Sequence, residues 1–284
     1  MATTTATTTT RAASSARRAG AALGLAALLA IAGFTALGSV FSYPQILVES
    51  PAEILTRYRA HQGAVMAWFG VLVLSAALMA PTGVWLGRVT GGRLGRAITA
   101  TGIAAAIVQV AGLQRWLTLV PGISVEAADP TRQASAVERF SFWHTVLGTA
   151  VGETLGYALT SSFTLLVVVA LRRRGLPRWL SVLGLLAAAL IATGVLVPVL
   201  EHANLTNFVG YALWCGWLLI IAAILIRTPR SAPVECAAHT STPPADQQGA
   251  HSLVPFASGA DPRTVPPPLP RGDVDGPRGC VRAS

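Results

Sequence analysis

Two ionisable side chains fall deep inside apolar stretches of this chain, and they frame its chemistry. Glu153 lies ten residues past Trp143, a depth of roughly 15 Å at the rise of an α-helix. Arg115 is the only arginine inside a long apolar run and lies six residues before Pro121, about 9 Å from that helix end. A carboxyl group at such depth has to be neutral, paired or turned to a polar cavity. Arg115 is long enough to reach toward Glu153, and Gln109 lies nearer the carboxylate's level. The sequence therefore predicts an Arg115–Glu153 pair with Gln109 alongside. Such a pair serves either as a ligand or proton site or as an ion pair that fixes helix register. Thr145, Thr149, Glu153, Tyr157 and Ser161 recur at intervals of four, one face of an α-helix. The candidate binding residues are thus Glu153, Arg115, Gln109, Tyr157 and Thr149.

Other constellations are weaker. His61, Gln62, His144, Glu201, His202, Asn204 and Asn207 collect near one set of helix ends, but lack metal-ligand spacing. Neither a metal nor a cofactor is expected. Asn207, Tyr211, Trp214 and Cys215 share one side of the last apolar run and read as core packing. No nucleophile elbow, phosphate loop or dinucleotide fingerprint is present, and no catalytic residue is assigned.

The elements that position these residues are six apolar runs, at about 20–42, 63–87, 97–120, 144–171, 179–200 and 207–226. Each reaches the ~20 residues that an α-helix needs to cross ~30 Å of hydrocarbon. Sustained alternation is absent, which argues against a barrel. Of the 284 residues, 52% are hydrophobic and 12% are charged, a balance that excludes an ordinary soluble domain. The fold class is all-α, a polytopic bundle of six transmembrane helices. Gly148, Gly152 and Gly156 predict close approach of another helix within that bundle. Trp68, Trp116, Trp143 and Trp179 fall near predicted helix ends, as in an interfacial aromatic belt. The first run also has the makings of a signal peptide, but its length favours a retained span.

The charge is +9 overall with no lysine, and its distribution excludes a nucleic-acid binder. Arginines cluster at Arg11, Arg17 and Arg18, at Arg88, Arg93 and Arg96, at Arg172, Arg173, Arg174 and Arg178, and at Arg227 and Arg230. These alternate with mixed-sign links and place both termini in the cytoplasm. The link after Asp129-Pro130 carries a short interfacial helix over RQASAVERF. Residues 1–18 read as a disordered cytoplasmic segment, 19–228 as the membrane domain and 229–284 as a disordered Pro-rich cytoplasmic tail. At an offset of 82 residues, positions 57–112 repeat ten identities, including Gly102 and Gly112 at Gly184 and Gly194. That pattern suggests two similarly oriented hairpins.

The stretch GETLGYALTSSFTLLVVVALRRRGLPRWLSVLGLL (152–186), followed by NFVGYALWCGWLLIIAAILIR (207–227), resembles the bacterial membrane family called domain of unknown function 4386. Leu176, Pro177, Trp179 and Leu180 carry the shared Leu-Pro-x-Trp-Leu pattern at the start of a late helix. The resemblance covers roughly residues 20–227 and implies about six helices, with no established activity. The expectation is a multi-pass protein of a bacterial plasma membrane, in contact with the bilayer and binding or helping to transport a small molecule or lipid. The alternatives are a membrane-embedded enzyme acting on a lipid or isoprenoid and an accessory subunit of a membrane complex. The oligomeric state stays open.

Overall fold

A segment that enters hydrocarbon must pair its own backbone N–H and C=O groups, which an α-helix does without help from its neighbours. The computed structural model describes residues 2–197, 199, 200 and 203–227, with side chains from residue 13 onward. Among these residues there is no strand, and six helices are long and apolar enough to cross a membrane. The spans are Ala13–Phe41, Gln62–Thr90, Gly92–Glu126, Gln133–Arg172, Arg178–Leu196 and Ala203–Arg227. Each packs against the next in the chain, and the first packs against the last. The bundle is therefore a closed ring in chain order.

The first helix runs from Ala2 to Phe41 and so continues over residues read from composition as disordered. Alanine is the strongest helix former, and Ala16 and Ala19 are buried in the same core as Leu218, Ile221 and Ala222. That packing is what composition alone misses. The Pro-rich tail expected over 229–284 lies outside the described residues.

Proline punctuates the second and third spans. Pro81 cannot bond back to Ala77, and that helix breaks at Leu78. Pro121 follows a break at Leu119. Between them the chain reverses at Gly91, whose φ of 72° is open to glycine at little cost. Gly83 and Gly102 then bring the two helices into backbone contact: a Cβ on Gly102 would lie 2.9 Å from the Gly83 Cα. The fourth and fifth spans turn on Gly175, and Arg174 there donates to the Val89 carbonyl of the other hairpin. The two arginine-rich turns thus lie together at one end of the bundle.

Short helices cover the opposite end: Pro51–Ala60, Val120–Glu126 and Gln133–Trp143, the last where a short helix is expected. Ser50 caps the first of these by accepting from the Glu53 N–H. Arg139 pairs with Glu126, and Arg59 donates to the Ser124 carbonyl at 2.9 Å. Beneath the cap Phe41, Tyr58, Phe69, Trp116 and Phe140 form one aromatic cluster, with Phe69 stacked on Trp116 at 4.9 Å. Trp116 is therefore not part of an interfacial belt. It is fully buried, whereas Trp179 is 60% exposed. The cap supplies the apolar partners that a helix end normally lacks.

Tyr58 donates to the Trp116 carbonyl at 2.7 Å, and burial pushes its phenol from 10.0 up to about 12. The unfolded chain ionises first, so this group adds stability below pH 10 that is lost as pH rises from 10 toward 12. Tyr58→Phe is expected to cost about 1 kcal/mol at neutral pH and to flatten that alkaline loss. Thermal unfolding in detergent across the alkaline range checks both; an unchanged alkaline slope in the variant would contradict the assignment.

Candidate functional site

The ring encloses a cavity of about 340 Å³. Its floor and walls come from five of the six spans: Ala30 and Phe34 of the first, Leu72 and Ser75 of the second, Gln109 and Arg115 of the third, Glu153 and Tyr157 of the fourth, and Asn207 and Tyr211 of the sixth. Tyr43 and Pro44 line it from the segment after the first span. Most of the lining is aliphatic or aromatic, and the polar groups converge on Arg115 and Glu153.

The fourth span positions the carboxylate in an unusual way. Residues His144–Leu155 form a π-helix between two α-helical stretches. In π winding each N–H reaches the carbonyl five residues back rather than four, so residues five apart share a face. Gly148 and Glu153 both line the cavity, and they are five apart. The expected four-residue stripe is broken by this winding: Thr149 is half-buried and is not part of the lining, while Gly152 and Tyr157 are. Two glycines make the winding fit its neighbour. A Cβ on Gly112 would lie 2.5 Å from the Gly152 Cα, so the third and fourth spans touch backbone to backbone. The glycines expected to allow close approach do so inside one bundle.

Gly148 leaves the space that Arg115 fills. A Cβ there would sit 2.7 Å from the Arg115 Nη2. The guanidinium curls back along its own helix, donating from Nη1 to the Gly112 carbonyl at 2.5 Å, and lies 5.2 Å from the Trp116 ring centroid. Only 4% of Arg115 is exposed, and its Nε has no partner among the described residues. Among the described residues no carboxylate lies within 4.0 Å of it; the ion pairs are Arg57–Glu53, Arg132–Asp129 and Arg139–Glu126. The expected direct Arg115–Glu153 bridge is therefore not formed. Arg115 is held by a carbonyl and a ring, and Glu153 faces the same cavity with no hydrogen bond from any described residue. Both charges act on Tyr43, whose phenol is pushed up by burial and by Glu153 and pulled down by Arg115.

The remaining polar groups are tied to the frame. Gln109 donates to the Thr160 hydroxyl at 2.5 Å, so it braces the third span against the fourth while it lines the cavity. Asn207 donates to the Ile191 carbonyl at 2.9 Å, where the fifth span tightens into the 3₁₀ turn Thr193–Leu196. Trp214 donates to Thr164 at 2.8 Å. Tyr157, Tyr211 and Trp214 follow one another edge to face. Asn207, Tyr211, Trp214 and Cys215, read from sequence as core, all line the cavity. The walls given by the first span and by Tyr43 were missed; the only sequence signal was the small-residue face of Ala26, Ala30 and Gly33.

Of the other polar set, His144 stacks on Phe140 at 5.4 Å, His61 is exposed and Gln62 contacts Met66. Glu201 and His202 lie outside the described residues. Among the described residues no group of three His, Cys, Asp or Glu could hold a metal ion.

No curated protein and no solved structure matches the chain. A family model matches residues 18–222, which takes in four of the spans whole and most of the first and the sixth. With its arginine-rich turns at one end, its capped aromatic cluster at the other and a cavity between, this chain belongs to the family described as Domain of unknown function (DUF4386).

Proposed function

We infer that this membrane protein binds, or helps to transport, a small molecule or lipid, and that the cavity holding Arg115 and Glu153 is the binding site. One observation carries the reading: a buried cation and a carboxylate line one cavity without pairing with each other. An ion pair that merely fixes helix register brings its charges into contact, because each is expensive to leave without a partner at membrane depth. Two charges that line one cavity without a direct bridge suit a ligand that offers a partner to each. Arg115, Glu153, Gln109 and Tyr157 are the ligand-contacting residues in this reading, and Thr149 is outside the site. The arginine-rich turns favour cytoplasmic termini in a bacterial plasma membrane.

Small molecules retained through purification, identified by mass spectrometry after extraction, test the reading. Glu153→Gln is expected to keep the thermal midpoint within a few degrees and to lose the retained compound. Equal retention in both proteins, or an empty wild-type cavity, would overturn it.

A further inference from the structure

The cavity has a side opening, and its position says where a ligand comes from. Ile31 and Thr35 of the first span, with Phe208 and Ala212 of the sixth, line the cavity and are also exposed on the outer surface of the bundle. Ile31 is 43% and Phe208 51% exposed, so these side chains form the rim at which the cavity opens between the two helices. Lower down the same pair is tightly joined: a Cβ on Gly20 would lie 2.9 Å from the Ala222 carbonyl. Ile31 lies ten residues before Phe41, about 15 Å below the capped end at the helix rise. Ala212 lies nine residues past Ala203, a similar depth. The opening is therefore at the level of acyl chains. Toward the capped end Tyr43 closes the cavity, stacked on Phe34 at 5.9 Å and edge-on to Phe69 at 5.4 Å.

Resting on the binding reading above, the geometry points to a single-chain amphiphile that slides in from the bilayer between the first and sixth spans, placing an anionic oxygen on Arg115 and a hydroxyl near Glu153. The inner end supplies the head-group chemistry: the Arg115 guanidinium, which lines the cavity wall, donates, and the Glu153 carboxylate accepts. The apolar side chains at the mouth, Ile31, Phe34 and Phe208, match a hydrocarbon tail. The same head-group chemistry exists in water as a free phosphate ester, and the opening selects the lipid form.

Trp214 lines the cavity and gives the readout. The full-length protein in nanodiscs is titrated with a lysophosphatidate whose chain carries bromine, a short-range quencher of tryptophan. Saturable quenching is expected, absent in Trp214→Phe. Arg115→Met is expected to weaken it by about tenfold or more, the loss of a hydrogen bond to a charged group. Ala212→Phe, a lipid-facing change at the mouth, is expected to slow its onset. Glycerol 3-phosphate, the same head without a chain, is expected not to compete. Competition by glycerol 3-phosphate as strong as by the lipid, with Ala212→Phe indifferent, would overturn the bilayer route and leave the cavity a binding site. No saturable quenching and no competition by either compound would overturn both.

Discussion

Gly112→Ala is expected to cost this protein on the order of 3 kcal/mol or more, the upper end for an added methyl in a packed core. The new Cβ would lie 2.5 Å from the Gly152 Cα and 3.0 Å from the Leu147 carbonyl oxygen. Both are backbone atoms, so no rotamer change relieves the clash. Relief has to come from parting the third and fourth spans, which also separates Arg115 from the Gly148 gap that houses it. Gly216→Ala is the matched control. Among the described residues nothing lies within 4 Å of its added Cβ, and an alanine inside a helix gains up to ~1 kcal/mol over glycine. The thermal midpoint and monodispersity of the two variants in detergent should move in opposite directions. If Gly112→Ala is as stable as Gly216→Ala, the backbone contact is wrong.

Arg115→Met is expected to weaken ligand binding by about tenfold or more and yet leave the fold as stable as before, or more so. The balance follows from what holds the guanidinium. It makes one hydrogen bond to the Gly112 carbonyl and one contact with the Trp116 ring. These are worth about 1.5–3 and about 1–2 kcal/mol. Against them stands the cost of keeping a cation 4% exposed with no carboxylate in contact among the described residues, several kcal/mol. Methionine is unbranched, flexible and fills irregular gaps, so it occupies the volume without the desolvation. A site residue whose removal stabilises the fold is retained for what it binds. Collapse of the variant would instead assign Arg115 a structural role.

The architecture was readable because hydrocarbon imposes it. A run of about 20 apolar residues has few alternatives to a spanning helix, and all six runs became spans. Arg115, Glu153, Gln109 and Tyr157 all line the cavity, and polar groups at membrane depth need such a surface to face. Thr149 does not join the lining: a spacing of four presumes α winding, and the π segment at His144–Leu155 changes which residues share a face. The direct Arg115–Glu153 bridge was expected from reach alone. Gly148, by leaving room beside the third span, lets the guanidinium fold back onto its own helix instead. Trp116 sits where an aromatic belt would be, but the link after the first span and the end of the third fold into a cap that covers it. Links of mixed charge carry little periodicity, so the cap left almost no trace in the sequence. The first span's share of the cavity was hidden too, because alanine faces look alike whether they pack or line a void.

A double-mutant cycle on Arg115→Met and Glu153→Gln, read both as thermal stability and as binding of the brominated amphiphile, tests the central claim most directly. Charges that line one cavity without a direct bridge predict a stability coupling below about 1 kcal/mol, with binding weakened in either single variant and at least as much in the double. A coupling of several kcal/mol, with each single variant unfolding and the double restoring the fold, would show the two charges to be a structural ion pair and would contradict the account.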